Sequence, residues 1–129
     1  MREEDIKNLP CEDLRTINNL WLYFSNGKFG FSVQKEIYQS LGGTEDYDEK
    51  IWNSFGDHIG WKKKGRWIGS VELVFQINDV PSGHLPTVRS PTRYTFEPSL
   101  NKVLEKESFN HSDYLPIHAQ LYFRLEICN

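Results

Sequence analysis

The stretch SNGKFGFSVQ, residues Ser25 to Gln34, decides the fold. Asn26 and Gly27 tolerate the left-handed backbone that commonly ends a helix. Ser32, six residues after Asn26, is a natural N-cap for a new one. KFGF therefore reads as a tight corner between two helices. A corner alone does not require Phe29 and Phe31, so the same turn is a candidate to offer rings to something flat.

Working upstream, Leu14, Ile17, Leu20, Trp21 and Phe24 recur at three- and four-residue spacing behind Asp13, whose carboxylate suits the first turn. This predicts an amphipathic helix with those five side chains inward. Downstream, Val33, Ile37, Tyr38 and Leu41 give a second helix one apolar face, stopped by Gly42-Gly43. Asp46 and Glu49 resemble a capping box for a third, with Tyr47, Ile51, Trp52 and Phe55 inward and Gly56 as its end.

The pattern then changes. DHIGWKKKGRWIG, Asp57 to Gly69, is a glycine-punctuated loop carrying two tryptophans and four cations. VELVFQI, Val71 to Ile77, alternates like a short strand, but it lacks a partner strand, and an irregular packed segment fits as well. After PSGHLP, residues 87–114 read as a polar surface excursion with one helical turn around Leu100 to Leu104. Pro116 suits the first position of a closing helix with Leu121, Leu125 and Cys128 inward.

A chain of 129 residues is one domain's worth, able to bury a modest core unaided. Aromatic residues reach 14%, more than such a core ordinarily requires, which again leaves rings over for a ligand. A net charge of -3 argues against a general attraction to nucleic acid or anionic membranes, so any anion site is local. Cys11 and Cys128 form no CxxC pair, and the sequence has neither an apolar signal core nor a run approaching the roughly 18 residues of a membrane span. The expectation is a soluble, intracellular, reduced protein, with a disulfide between the two distant cysteines left open.

The chemistry-bearing residues are sparse. His58, His84, His111 and His118 lack metal-site spacing, and there is no nucleophile elbow, P-loop or Rossmann glycine set. His58 and His84 sit among loop glycines, where each is either functional or a brace for its loop. Glu36, Glu49 and Glu126 read as solvated helix-face charges. The stronger constellation is Phe29, Phe31, Trp61 and Trp67 interleaved with Lys28, Lys62, Lys63, Lys64 and Arg66. A flat apolar ligand with anionic edges matches rings over its plane and cations at its rim. Single-stranded nucleic acid has similar needs, and the plainer alternative is that the rings staple loops to the core.

DLRTINNLWLYFSNGKFGFSVQKEIYQSLGG, FGDHIGW, a following tryptophan and GHLP together resemble the core domain of the genomes-uncoupled family of tetrapyrrole-binding regulators of magnesium chelatase in cyanobacteria, algae and plants. The likeness runs from about Leu9 to Pro86, and RLEIC resembles the family's closing helix. It implies a mainly α fold, a compact bundle of short helices whose aromatic-rich loops form an open cupped surface for protoporphyrin or Mg-protoporphyrin, or in some members a bilin. It also implies no catalysis, a monomer working with the large porphyrin-binding subunit of magnesium chelatase, peripheral membrane contact at most, and a cyanobacterial cytoplasmic or chloroplast stromal setting. Under that resemblance the ligand-binding residues are Lys28, Phe29, Phe31, His58, Trp61, Lys62, Arg66, Trp67 and Leu85, and the 71–77 segment is expected to be irregular or one helical turn. His58 stands where the family often has a cation, Asn18 where Asp is common and Tyr23 where a basic residue is common.

Overall fold

The computed structural model describes residues 3–68, 79–87 and 116–128. Helices dominate, as expected: α1 (Glu3–Asn8), α2 (Cys11–Phe24), α3 (Phe31–Ser40), α4 (Glu49–His58) and α5 (Ile117–Cys128). The only strands among the described residues are β1 (Lys62–Lys63) and β2 (Arg66–Trp67), an antiparallel pair with Lys62 opposite Trp67. The candidate strand at 71–77, the helical turn at 100–104 and almost all of the 87–114 excursion lie outside the described residues.

α2 corrects the sequence reading in two ways. It starts at Cys11 behind Pro10, with no side-chain cap, so Asp13 lies within its first turn instead of opening it. Its buried residues are Leu14 and Asn18, whereas Ile17, Leu20 and Phe24 face outward. Periodicity found the apolar stripe but assigned it to the core; the buried face is rotated toward Asn18 because that amide has work on the next helix.

That work is capping. α3 begins at Phe31 behind Gly30, not at Ser32, and Ser32 donates its backbone N–H to Asn18 Oδ1 at 2.9 Å. A first-turn donor of α3 is thus satisfied from α2, in place of a local Ser cap. Gly30 must be glycine here: its φ is 139°, and a Cβ would lie 3.0 Å from Asn18 Oδ1. Asn26 and Gly27 adopt φ of 54° and 80°, the left-handed turn expected after α2.

α4 is capped by Asp48, which accepts from the N–H groups of Lys50 and Ile51 at 2.9 and 3.2 Å; Asp46 has no part in it. Nor does Gly56 end the helix. It lies inside α4, where its missing Cβ leaves room for the Trp67 ring, which a side chain there would meet at 2.5 Å. The β1–β2 turn is Lys64-Gly65 with φ of 54° and 76°, the doubly left-handed turn that matches strand twist.

The main core joins the five described helices around packed aromatic rings. Tyr38 lies edge-on to Phe55 at 5.4 Å and tilted against Tyr122 at 6.1 Å between ring centroids, and Phe55 lies edge-on to Trp61 at 5.9 Å, separations typical of favourable aromatic pairs. α5 supplies Ala119, Leu121, Tyr122, Leu125 and Cys128, all buried, in agreement with its predicted inward face. A smaller cluster of Phe29, Val80 and Leu85, with Trp21 packed against it, sits under the KFGF corner.

Candidate functional site

The KFGF corner is built by its own polar groups and then joined to the PSGHLP loop. Ser25 Oγ donates to the Trp21 carbonyl at 2.6 Å and accepts from the Phe29 N–H at 2.8 Å, closing the turn. Gly30 N–H donates to the Leu85 carbonyl at 3.0 Å, and Gly83 N–H to the Lys28 carbonyl at 2.9 Å, so corner and loop run together as one piece of backbone.

Gln34 fixes that piece to the core. Fully buried, it donates from Nε2 to the carbonyls of Gly83 and Pro86 at 2.9 and 2.8 Å, and its Oε1 accepts from the Tyr122 hydroxyl at 2.9 Å. Burial pushes the Tyr122 phenol well above its usual range, so it remains a donor. Trp61 Nε1 donates to the His84 carbonyl at 2.8 Å, and His84 Nδ1 lies 2.8 Å from the Ile59 carbonyl. A carbonyl only accepts, so Nδ1 carries the proton and His84 acts as a loop brace. Burial lowers the His84 pKa, Lys63 reinforces that, and the bond to Ile59 opposes it.

Six of the nine predicted site residues fall into two groups, and His58, Phe31 and Trp61 lie outside both. Lys28, Phe29 and Leu85 meet under the corner: Phe29 and Leu85 share the smaller buried cluster, and the Lys28 ammonium lies 5.9 Å from the Phe29 ring centre. Lys62, Arg66 and Trp67 meet on the hairpin, with Lys62 Nζ 5.6 Å from the Trp67 ring and Trp67 stacked on Trp52 at 6.1 Å. His58 is exposed at the end of α4, its Nδ1 2.9 Å from the Ser54 carbonyl. Phe31 and Trp61 lie in the main core. With Phe29 at 2%, Phe31 at 5%, Trp61 at 7% and Leu85 at 2% exposure, these four side chains pack against protein on nearly every side and support a surface from beneath.

Among the described residues the exposed large apolar side chains gather on α2, with Ile127 on α5 apart from them. Ile17, Leu20 and Phe24 are 39, 51 and 72% exposed, spaced so that they line one side of the helix beside half-buried Trp21. Trp21 packs edge-on against Phe29 at 6.4 Å, which joins this stripe to the cluster holding Leu85. Contiguous exposed apolar area is the kind of surface that soluble proteins reserve for partners and ligands. The sequence reading found these side chains yet placed them inside. Gln34 has no role in that reading, and Asn18 figures there only as a departure from the common Asp, because a polar residue in a helix reads as solvated unless its partners are known. Among the described residues, no group of three or more His, Cys, Asp or Glu side chains is arranged to hold a metal ion. No helix there is long and apolar enough to cross a membrane.

Comparison with known proteins agrees with this architecture. The sequence pattern of the GUN4-like family matches residues 1–102. The ycf53 protein of Porphyra purpurea is 42% identical over 82 residues, covering 64% of this chain and 32% of that protein. The chloroplastic tetrapyrrole-binding protein of Arabidopsis thaliana is 30% identical over 95 residues, with the same coverages of 64% and 32%. This chain thus spans about a third of the length of the curated relatives it matches. The structure of GUN4 from Chlamydomonas reinhardtii is similar at a TM-score of 0.56 and 35% identity, covering 69% of this chain and 53% of that one. By sequence over most of its length, and by fold, the chain belongs to the GUN4-like family.

Proposed function

We propose that this chain binds a tetrapyrrole, protoporphyrin or Mg-protoporphyrin, and carries out no chemistry on it. The observation that supports this reading most directly is the uncovered stripe of Ile17, Leu20 and Phe24 beside Trp21, joined to the Phe29–Leu85 cluster. A porphyrin is a rigid apolar disc with carboxylates on one edge. The stripe meets its face, Phe29 and Leu85 form the floor behind Trp21, and Phe31 and Trp61 hold that floor in place. Half-buried Lys28 stands at the rim for a propionate. Lys62, Arg66 and Trp67 form a second flank, linked to the first because Trp61, next to Lys62, is hydrogen-bonded to His84, next to Leu85, and exposed His58 at the end of α4 is a further candidate partner for a propionate. Burial of one porphyrin face contributes several kcal/mol, whereas each exposed rim pair contributes roughly 0.5 to 1 kcal/mol, so the apolar contacts dominate.

The name of the Arabidopsis relative, a tetrapyrrole-binding protein, supports the same ligand class. By that reading the chain regulates magnesium chelatase, or carries its porphyrin, through the large porphyrin-binding subunit of that enzyme, as a monomer in a cyanobacterial cytoplasm or chloroplast stroma. The test is tryptophan-fluorescence quenching during titration with protoporphyrin and its magnesium complex, with a bilin for comparison. One-to-one saturation at low-micromolar concentration or below is expected. A stronger response to the bilin would redirect the reading to a bilin-binding signalling module. Quenching that never saturates with any of them would overturn it in favour of a protein-interaction module.

A further inference from the structure

The two cysteines of this chain are bonded to each other: Cys11, in the first turn of α2, and Cys128, in the last turn of α5, with Cα atoms 5.3 Å apart. We propose that this disulfide is a reversible thiol–disulfide exchange site, opened by a dithiol reductant, that fastens the final turn of α5 to α2. The inference goes beyond tetrapyrrole binding and does not depend on it.

Three observations carry it. First, the site is addressable from outside. Cys11 is half-buried while Cys128 is 8% exposed, so Cys11 is the more accessible of the two residues to an incoming thiolate. Second, the two ends have a second, non-covalent clasp that outlasts the bond. Arg15 Nη1 donates to the Cys128 carbonyl at 2.6 Å, and Arg124 Nη2 donates to the Leu9 carbonyl at 3.0 Å. With Ala119, Leu121, Tyr122 and Leu125 buried along α5, the helix stays docked when the sulfurs part, and they remain close enough to rejoin. Third, these are the chain's only cysteines, so opening and closing have one product each and no reshuffled pairing.

The exchange balances as follows. One thiolate of the reductant attacks Cys11 Sγ; an S–S bond to the reductant forms, the Cys11–Cys128 bond breaks, and the electron pair leaves on Cys128 Sγ, which takes a proton. The reductant's second thiolate then attacks its own bonded sulfur, closing the reductant's disulfide and expelling Cys11 thiolate, which is protonated in turn. The protein gains two electrons and two protons, and the dithiol loses them. What changes is the tether on α5, the helix whose Tyr122 hydroxyl holds Gln34 and, through it, the carbonyls of Gly83 and Pro86.

The test uses the full chain, dithiothreitol as the probe, and the double variant Cys11→Ser/Cys128→Ser as a permanently open form. After mild oxidation no thiol should react with an aromatic disulfide reagent even in denaturant. Dithiothreitol under native conditions should release two thiols with the helical circular dichroism unchanged, and its removal in air should reverse this. Because the bond closes a loop of 117 residues, the reduced protein and the double variant should melt together, about 10 °C or more below the oxidised form. Two reactive thiols after oxidation would overturn the proposal. So would a bond that dithiothreitol reaches only once the protein is unfolded, or oxidised and reduced forms that melt at the same temperature.

Discussion

At Gln34 a single side chain uses both ends to tie α3 to α5 and to the PSGHLP loop. An isolated lost hydrogen bond costs about 1 kcal/mol, but stranding a buried partner costs more, and Gln34 holds three partners at once. His84, one residue along that loop from Leu85, gives the same region a pH dependence. Burial keeps its folded-state pKa below the ordinary 6.5, so the unfolded chain takes up a proton first as pH falls. The stabilisation from neutral His84 is complete above the unfolded value and is lost as pH falls through the folded one. We expect the urea midpoint to drop as pH falls through and below the ordinary histidine value of about 6.5, and to drop less in His84→Asn; the same slope in both proteins would assign the effect to other groups.

At the scale of elements, helix starts were the least legible feature. Asp46 and Glu49 have capping-box spacing, yet Asp48 caps α4, because the box pattern marks a neighbourhood and the backbone geometry chooses the residue. Asp48→Ala should therefore destabilise by about 1 kcal/mol in chemical denaturation, and Asp46→Ala by a few tenths at most; equal losses would contradict the assignment. Helix existence was legible throughout α2, α3, α4 and α5 from apolar spacing, and the turn after α2 from Asn26-Gly27. Which face of α2 turns inward was not. Five apolar residues on a stripe ordinarily mean core, but here the buried side is fixed by Asn18 reaching Ser32, a long-range bond that no local pattern encodes. α1 was passed over because a short acidic segment carries little periodicity, and the β1–β2 hairpin because Lys64 takes a left-handed turn more common for Asn or Gly.

On the scale of the whole molecule, the buried rings among the described residues fall into two clusters. Phe31, Tyr38, Phe55, Trp61 and Tyr122 build one continuous core, while Phe29 with Val80 and Leu85 builds a small second one under the corner. The plainest of the sequence readings thus describes the packing of Phe29, Phe31 and Trp61, rings that hold loops to the body. Family resemblance was legible in the motifs themselves, and the match over residues 1–102 agrees with it. The candidate site was legible in part: the corner and the GHLP loop were identified, but the apolar surface beside them was counted as interior. The most direct test of that surface is the affinity of Mg-protoporphyrin for the wild-type chain and for Leu20→Ser/Phe24→Ser, measured by tryptophan quenching alongside the melting temperature. Both side chains are more than half exposed, so the melting temperature should hold while affinity falls about tenfold or more. Unchanged affinity in a folded double variant would contradict the claim that the stripe on α2 is where the ligand lies.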